Sequence, residues 1–310
     1  MPRYNHTSVT EFILLGFEDL HSFQSLFFLF LLLLYLATMI GNVLIIVLVT
    51  MTLLLHSPMY YFLCHLSFCD ILISTNVVPN TLQVFLRDDC HISPLSCKMQ
   101  LYVFGASAII ECCLLTVMSY DRYLAICNPL HYSLIMKNRL PMFLAMLCWL
   151  AGLLLAMITE LLVAQLDFCG PNTIDHFFCD LAPLLDLSCS DTKSVEVQVS
   201  IMVIVIIITP LIFVIVTYIC IFTSIFRISS TLSRQKVFST CSSHLVVVFT
   251  YYGTLITIYI APSRIYSLNL NKVLSLFNTS LTPLFNPIIY TLRNKEIRNA
   301  FSKAILKVFQ

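Results

Sequence analysis

Charge is what this sequence lacks. Asp, Glu, Lys and Arg make up 11% of its 310 residues, where a soluble domain carries about 25%. Hydrophobic residues make up 59%. A soluble chain of this length needs more polar surface, so lipid is the solvent that suits most of these side chains. The few charges are also unevenly spread. Between Asp19 and Arg87 the only one is Asp70, and between Met99 and Tyr120 the only one is Glu111. Leu140 to Thr159, Val197 to Phe226, Val237 to Ser263 and Val273 to Leu292 carry none. A membrane-crossing helix needs about 20 apolar residues. The first gap is long enough for two, divided by the turn from Leu55 to Pro58. The pattern predicts seven helices, near 23–50, 58–84, 98–126, 140–163, 197–226, 237–262 and 273–292. Helices satisfy their own backbone in lipid, and membrane strands would be shorter and alternate in polarity. The expected fold is an all-α seven-helix bundle.

Other absences narrow the function. No nucleophile–base pair and no metal-ligand cluster is visible, which argues against an enzyme. With six glycines and no duplicated half, the chain does not resemble a transporter built from repeats and broken helices. None of the 13 cysteines has the short paired spacing of a zinc site. The opening residues lack a basic start, an apolar run and a small-residue cleavage site, so the first span is expected to insert by itself.

Net charge is +1, and no nucleic-acid partner is expected. The placement of the basic residues is more informative. With the N-terminus outside, Arg122, Lys137, Arg139, Arg227, Arg234, Lys236, Arg293, Lys295, Arg298, Lys303 and Lys307 fall on the cytoplasmic face, which is 11 of the 17. The positive-inside rule favours that orientation. Asn5-His6-Thr7 fits a glycosylation sequon and agrees with it. Asn278-Thr279-Ser280 also matches but lies inside the seventh span. The chain then divides into an outer tail (1–22), a membrane domain (23–292) and an inner tail (293–310). In that tail Ile297, Phe301, Ile305 and Val308 share one face of a short amphipathic helix on the membrane surface. The expected location is the plasma membrane.

Cys64, Cys69, Cys112, Cys113, Cys148 and Cys220 lie within spans and read as packing residues. Cys97, Cys169, Cys179 and Cys189 fall in outer segments, where disulfides persist, and three pairings are open. Residues 163–196 form one long loop, expected to be a lid over the bundle. Asp70 and Glu111 lie mid-span, where an ionisable group is a functional candidate by default. Two close carboxylates cannot both ionise without a cation or a shared proton between them. Asp121 and Arg122 end the third span, where an arginine can pair with an acid in a closed bundle and meet a partner in an open one. Pro287 frees a backbone carbonyl late in the last span, with Asn286 beside it as the expected polar compensation. Pro210 is a similar case.

Four motifs carry a resemblance that covers nearly the whole chain. Pro58-Met59-Tyr60-Tyr61-Phe62-Leu63 opens the second span, and Met118-Ser119-Tyr120-Asp121-Arg122-Tyr123 ends in Leu124-Ala125-Ile126-Cys127 at the close of the third. Lys236-Val237-Phe238-Ser239-Thr240-Cys241-Ser242-Ser243-His244-Leu245 opens the sixth. Pro283-Leu284-Phe285-Asn286-Pro287-Ile288-Ile289-Tyr290 closes the seventh. The chain resembles an odorant receptor of the rhodopsin-like G-protein-coupled family. Ser119, Thr217 and Val237 depart from the family's usual residues by small chemical changes.

The resemblance implies a small-molecule odorant, a stimulatory heterotrimeric G protein of the olfactory type and a rise in cyclic AMP. It implies a switch set of Asp121, Arg122, Tyr123, Tyr218, His244, Asn286, Pro287 and Tyr290. A sodium ion at Asp70 and Glu111, with Asn42 and Asn286 nearby, is implied, and no other cofactor. So is the disulfide Cys97–Cys179, which leaves Cys169 with Cys189 and Cys90 as a free thiol. The implied pocket is lined by Phe104, Gly105, Ala108, Ile109, Met202, Val203, Ile206, Tyr252, Leu255, Ile256, Tyr259, Leu276 and Thr279. That set carries no fixed charge, so the expected ligand is small, neutral and mostly apolar. An amine receptor would instead place an acid where Phe104 stands. Tyr259 is expected to orient the ligand and Tyr252 to report its binding.

Overall fold

The computed structural model describes residues 9–17, 23–52, 55–87, 90–136, 139–169, 171–227, 230–259, 268–293 and 297–302. The chain runs β1 (Phe12–Leu14), α1 (Gln24–Met51), α2 (Pro58–Arg87), β2 (Cys90–Ile92), α3 (Pro94–Cys127), α4 (Pro129–Ile135), α5 (Leu140–Val163), β3 (Thr173–Ile174), α6 (Leu181–Asp186), α7 (Lys193–Met202), α8 (Thr209–Phe226), α9 (Thr231–Tyr259), α10 (Leu268–Leu276) and α11 (Thr282–Arg293). Seven of these stretches form the bundle. The fifth span is α7 and α8 joined by a π-helical turn, Val203–Ile208. The seventh is α10 and α11 joined by a second π turn, Phe277–Leu281. Six spans, the fifth counted through its π turn, are long and apolar enough to cross a membrane. The seventh, residues 268–293, is more polar, with Asn278, Thr279, Ser280 and Asn286 in its middle, and with it the bundle has the seven crossings that the charge gaps predict.

The third span is the central post. It packs against α2, α5 and α8, and Leu114, Leu115 and Met118 on it are completely or almost completely buried. Gly152 lets α5 approach closely. A Cβ there would lie 2.4 Å from Ile110 Cγ1 and 2.7 Å from the Ala106 carbonyl oxygen. The fourth and fifth spans are the peripheral ones, with only 22% and 11% of their apolar windows buried. Leu147, Leu150, Leu154 and Leu161 on the fourth, and Ile212, Ile215 and Ile219 on the fifth, point outward. In lipid those faces need no protein partner.

Proline shapes two spans. Pro287 cannot donate to the carbonyl of Pro283. Asn42 Nδ2 on the first span does so instead, at 3.0 Å. The sequence-based expectation gave that task to Asn286, but Asn286 Nδ2 points at the Asp70 carboxylate, 2.9 and 3.1 Å from its two oxygens. Pro210 follows the π turn of the fifth span, where the Thr209 hydroxyl donates back to the Ile204 carbonyl at 3.0 Å.

A lid closes one end. β1 pairs antiparallel with β2 and parallel with β3, in the order β2-β1-β3. The long loop between the fourth and fifth spans supplies β3 and α6. Phe12, Leu14, Ile92, Val163, Ile174 and Leu184 form a separate core beneath the lid. Gly16 turns the chain at φ 67°, and a Cβ there would lie 2.3 Å from Val84 Cγ1. Only glycine fits both conditions. Two disulfides pin the loop, Cys97–Cys179 and Cys169–Cys189. Cys90 belongs to neither disulfide and is buried, with its thiol 3.4 Å from Gln83 Oε1.

Asn5 lies outside the described residues. So do Ile305 and Val308 of the expected amphipathic tail helix. Residues 297–302 are helical, with Ile297 buried and Phe301 exposed.

Candidate functional site

Beneath the lid lies a cavity of ≈ 120 Å³. The third span lines it with Leu101, Tyr102, Phe104, Gly105, Ala108, Ile109 and Cys112, and the fourth with Ala156, Thr159 and Glu160. Asp180 and Leu181 come down from the lid. Val199, Met202, Val203, Ile206 and Ile207 come from the fifth span, and Leu255 and Tyr259 from the sixth. Two local features make the room. Gly105 and Ala108 present little side chain, and the π turn at Val203–Ile208 re-aims the fifth span. Such turns are frequent at functional sites.

Nine of the expected lining residues border this cavity: Phe104, Gly105, Ala108, Ile109, Met202, Val203, Ile206, Leu255 and Tyr259. Tyr252, Ile256, Leu276 and Thr279 do not. The Tyr252 hydroxyl donates to the Cys112 carbonyl at 3.1 Å and sits 3.3 Å from Thr116 Oγ1, which places it below the cavity floor. Ile256 packs into the main core. Leu276 packs against Ile73, Phe104, Phe177 and Phe178, and the Thr279 hydroxyl turns back to the Ser275 carbonyl at 2.8 Å. The cavity therefore lies among the third to sixth spans and misses the seventh.

The expectation of a lining without fixed charge is overturned by Glu160 and Asp180. Glu160 stands where the charge-free stretch of the fourth span ends, and Asp180 follows directly on the disulfide cysteine Cys179. Both signals were present in the sequence. Burial pushes the Asp180 carboxyl up to about 6, against the Leu181 amide that donates to it at 2.8 Å.

The lid is held by buried polar contacts. Gln100 Oε1 accepts the Cys179 amide at 2.9 Å, and Gln100 and Asn76 each donate a side-chain amide to the other's carbonyl, at 2.7 and 2.8 Å. Lys272 is buried, pairs with Asp175 and donates to the Gly16 carbonyl at 2.6 Å. His176 packs against the rings of Phe177 and Phe178 at 4.6 and 4.7 Å. Neither of its nitrogens has a well-placed hydrogen-bond partner, although the Phe178 backbone lies close. Burial, and then the Lys272 charge, pushes this imidazole down to about 3.

Midway through the bundle, Asp70 and Glu111 are both buried and lie within electrostatic reach of each other. Tyr251 donates to the Ala108 carbonyl at 2.7 Å and stands beside the Glu111 carboxyl. Buried oxygens without a hydrogen-bond partner lie on the spans around these acids: Asn42 Oδ1, Ser74 Oγ, Glu111 Oε1, Ser280 Oγ and Asn286 Oδ1. Among the described residues, no group of three or more His, Cys, Asp and Glu side chains could hold a metal ion. Asp70 and Glu111 are a pair of hard oxygen donors, and such donors suit a hard cation.

At the end of the bundle far from the lid, Arg122 pairs with Asp121 at 3.2 Å. The Tyr132 hydroxyl on α4 donates to the same carboxylate at 2.9 Å. The Tyr218 hydroxyl lies 2.8 Å from His244 Nδ1, with the two rings stacked 5.7 Å apart. The Arg122 charge reaches Tyr218, His244 and Tyr290, and Tyr123 packs against the same core. The third, fifth, sixth and seventh spans thus meet around one arginine, with Asn286 and Pro287 further up the seventh.

Seven helices with a lidded cavity at one end and an arginine–acid pair at the other form a rhodopsin-like receptor bundle. The crystal structure of squid rhodopsin matches it with a TM-score of 0.74, covering 94% of this chain and 87% of that one, at 17% identity. That likeness concerns the fold alone. The family model described as olfactory receptor matches residues 31–308. Olfactory receptor 11A1 of Homo sapiens is 47% identical over 96% of this chain and 94% of its own length. Olfactory receptor 5G9 of Mus musculus is 45% identical over 98% and 96%. The chain belongs to the olfactory receptor family of G-protein-coupled receptors; it is a multi-pass membrane receptor and not an enzyme.

Proposed function

We propose that this receptor takes a small, largely apolar odorant into the cavity beneath the lid and signals through a stimulatory, olfactory-type G protein that raises cyclic AMP. The observation that carries the reading is that the same helices border both sites. The third, fifth and sixth spans line the cavity and, at their other ends, carry Arg122, Tyr218 and His244. A ligand that fits one arrangement of these helices better than another shifts their equilibrium by its difference in affinity. The N-terminal tail and lid face the outside in this reading, the tail after Arg293 faces the cytoplasm, and Asn5 carries the glycan. A broad odorant screen with a cyclic AMP readout tests it. Surface-expressed receptor that answers no odorant, or answers without cyclic AMP, would contradict it.

Asp70 and Glu111 are proposed to hold one sodium ion that favours the inactive bundle, with the unpartnered oxygens of Asn42 and Asn286 as neutral company. The ion would supply the positive charge that lets both acids stay ionised. Its binding and that of an activating ligand are then linked. Exchanging sodium for a large organic cation at constant ionic strength should raise agonist potency, and unchanged potency would remove the ion from the account.

A further inference from the structure

The cavity is apolar except for a few groups, and two of these are acids. Asp180 is 3% exposed and borders the cavity. Its Oδ1 accepts the Leu181 amide. The Tyr259 phenol, on the same cavity wall, lies within electrostatic reach of its carboxyl. Glu160 borders the same space, and its Oε2 is buried without a hydrogen-bond partner. Among the described residues, no lysine, arginine or histidine lines the cavity. Lys98 lies within electrostatic reach of Glu160, but neither acid forms an ion pair among the described residues. A buried acid with an unmatched acceptor is costly, and a carboxylate can only accept. What satisfies it is a donor arriving with the ligand.

We propose that Asp180, together with Glu160, is the polar anchor of the ligand cavity, and that it accepts a hydrogen bond from the O–H or N–H headgroup of a small amphiphile, a primary alcohol or amine. The apolar walls formed by Ala108, Ile109 and Val203 hold the alkyl chain, and carboxylates are excluded by like charge. The inference rests on the reading of this cavity as the odorant site and adds the class of headgroup.

Asp180 also caps α6 (Leu181–Asp186), and an acid there could serve the helix alone. Asp180→Asn separates the two roles. Asparagine keeps a cap acceptor for the Leu181 amide. With Oδ1 so engaged, its Nδ2 takes the place of Oδ2 and presents a donor in place of an acceptor. A capping role predicts the same change for every ligand. An anchoring role predicts that the preference reverses, because acceptor-only ligands now find a donor.

The experiment uses the full-length receptor in lipid nanodiscs and reads ligand-induced thermal stabilisation, which needs no G protein. The probes are n-butyl to n-octyl alcohols, with amines, methyl ketones and carboxylates of matching length. In the wild type, alcohols and amines should stabilise at concentrations about tenfold below those of the ketones, as expected for a hydrogen bond to a charged group. Carboxylates should not bind. Asp180→Asn should abolish that advantage and improve the ketones. Glu160→Gln should weaken alcohols and amines to a smaller degree. Amines stronger than alcohols would identify charge pairing as the source, and equality would identify hydrogen bonding. Ketones or carboxylates that bind the wild type as well as alcohols do would overturn the proposal. So would an equal shift for all probes in Asp180→Asn, or no stabilisation by any alcohol or amine. Stabilisation without a cyclic AMP response in cells would leave the anchor in place and defeat the signalling reading instead.

Discussion

Replacing His176 with phenylalanine should make the protein gain stability, relative to the wild type, as pH falls from about 6 to about 4. The imidazole is held at about 3 in the folded chain, against 6.5 for an ordinary histidine. Between those values the unfolded chain binds a proton that the folded chain refuses. Stability then falls as pH falls, by about 1.4 kcal/mol for each pH unit. Asp180 acts in the opposite sense. Its carboxyl is raised to about 6 from 3.8, so the folded chain takes up the proton first and stability rises as pH falls through that window. In the wild type the two slopes oppose each other between about pH 6 and pH 4 and largely cancel. Phenylalanine keeps the packing against Phe177 and Phe178 and removes two buried nitrogens that lack good partners, a change close to neutral in itself. The Asp180 slope then stands alone. Relative to the wild type, His176→Phe should gain roughly 2–3 kcal/mol on going from pH 6 to pH 4. Other carboxylates contribute equally to both proteins and drop out of the difference. Thermal unfolding in lipid nanodiscs across that range gives the comparison. Parallel curves for the two proteins would show that His176 is not held neutral by the lid.

Three further changes probe the frame and the switch. Gly152→Val puts a branched side chain where a single Cβ already meets Ile110 Cγ1 at 2.4 Å; the unfolding free energy should fall by about 1–3 kcal/mol, and an unchanged midpoint would mean that α5 can move away from α3 freely. Asn42→Leu strips the Pro283 carbonyl of its donor and should cost about 1–3 kcal/mol in the same assay, whereas Asn286→Leu should leave that carbonyl unaffected. Tyr252→Phe removes the link from the sixth span to the Cys112 carbonyl and should raise basal cyclic AMP by about two- to tenfold, while Tyr259→Phe, which alters a cavity wall, should change odorant potency and leave basal signalling alone.

The bundle was legible because lipid forbids charge over long stretches. The charge-free stretches Leu140 to Thr159, Val197 to Phe226 and Val273 to Leu292 each fall on a span, and the long gap from Asp19 to Arg87, broken only by Asp70, holds two. The far-end cluster was legible from motifs, and Asp121, Arg122, Tyr218, His244 and Tyr290 do converge. What sequence order could not supply was rotation about each helix axis. Tyr252 and Tyr259 are two turns apart and share a face, yet the Cys112 carbonyl captures the Tyr252 hydroxyl beneath the cavity floor. The π turn at Phe277–Leu281 shifts the register of the seventh span, and Thr279 turns into its own helix. Partners distant in sequence were equally hidden. That Asn42 would serve the carbonyl freed by Pro287 depends on first and seventh spans meeting. The lid sheet is built from strands of two or three residues, too short to carry a period of their own. Asp180 and Glu160 sit at the edges of segments rather than inside them, so the charge-free pattern of the spans does not single them out as cavity acids.

The central claim is that a ligand held beneath the lid acts on a G protein through Arg122. The most direct measurement compares Arg122→Ala with the wild type for one activating odorant, reading ligand-induced thermal stabilisation and cyclic AMP on receptor of matched surface expression. Arg122 stands at the opposite end of the third span from the cavity, so stabilisation by the ligand should persist while the evoked cyclic AMP is lost. A full cyclic AMP response from the variant, or loss of ligand binding along with the signal, would contradict the account.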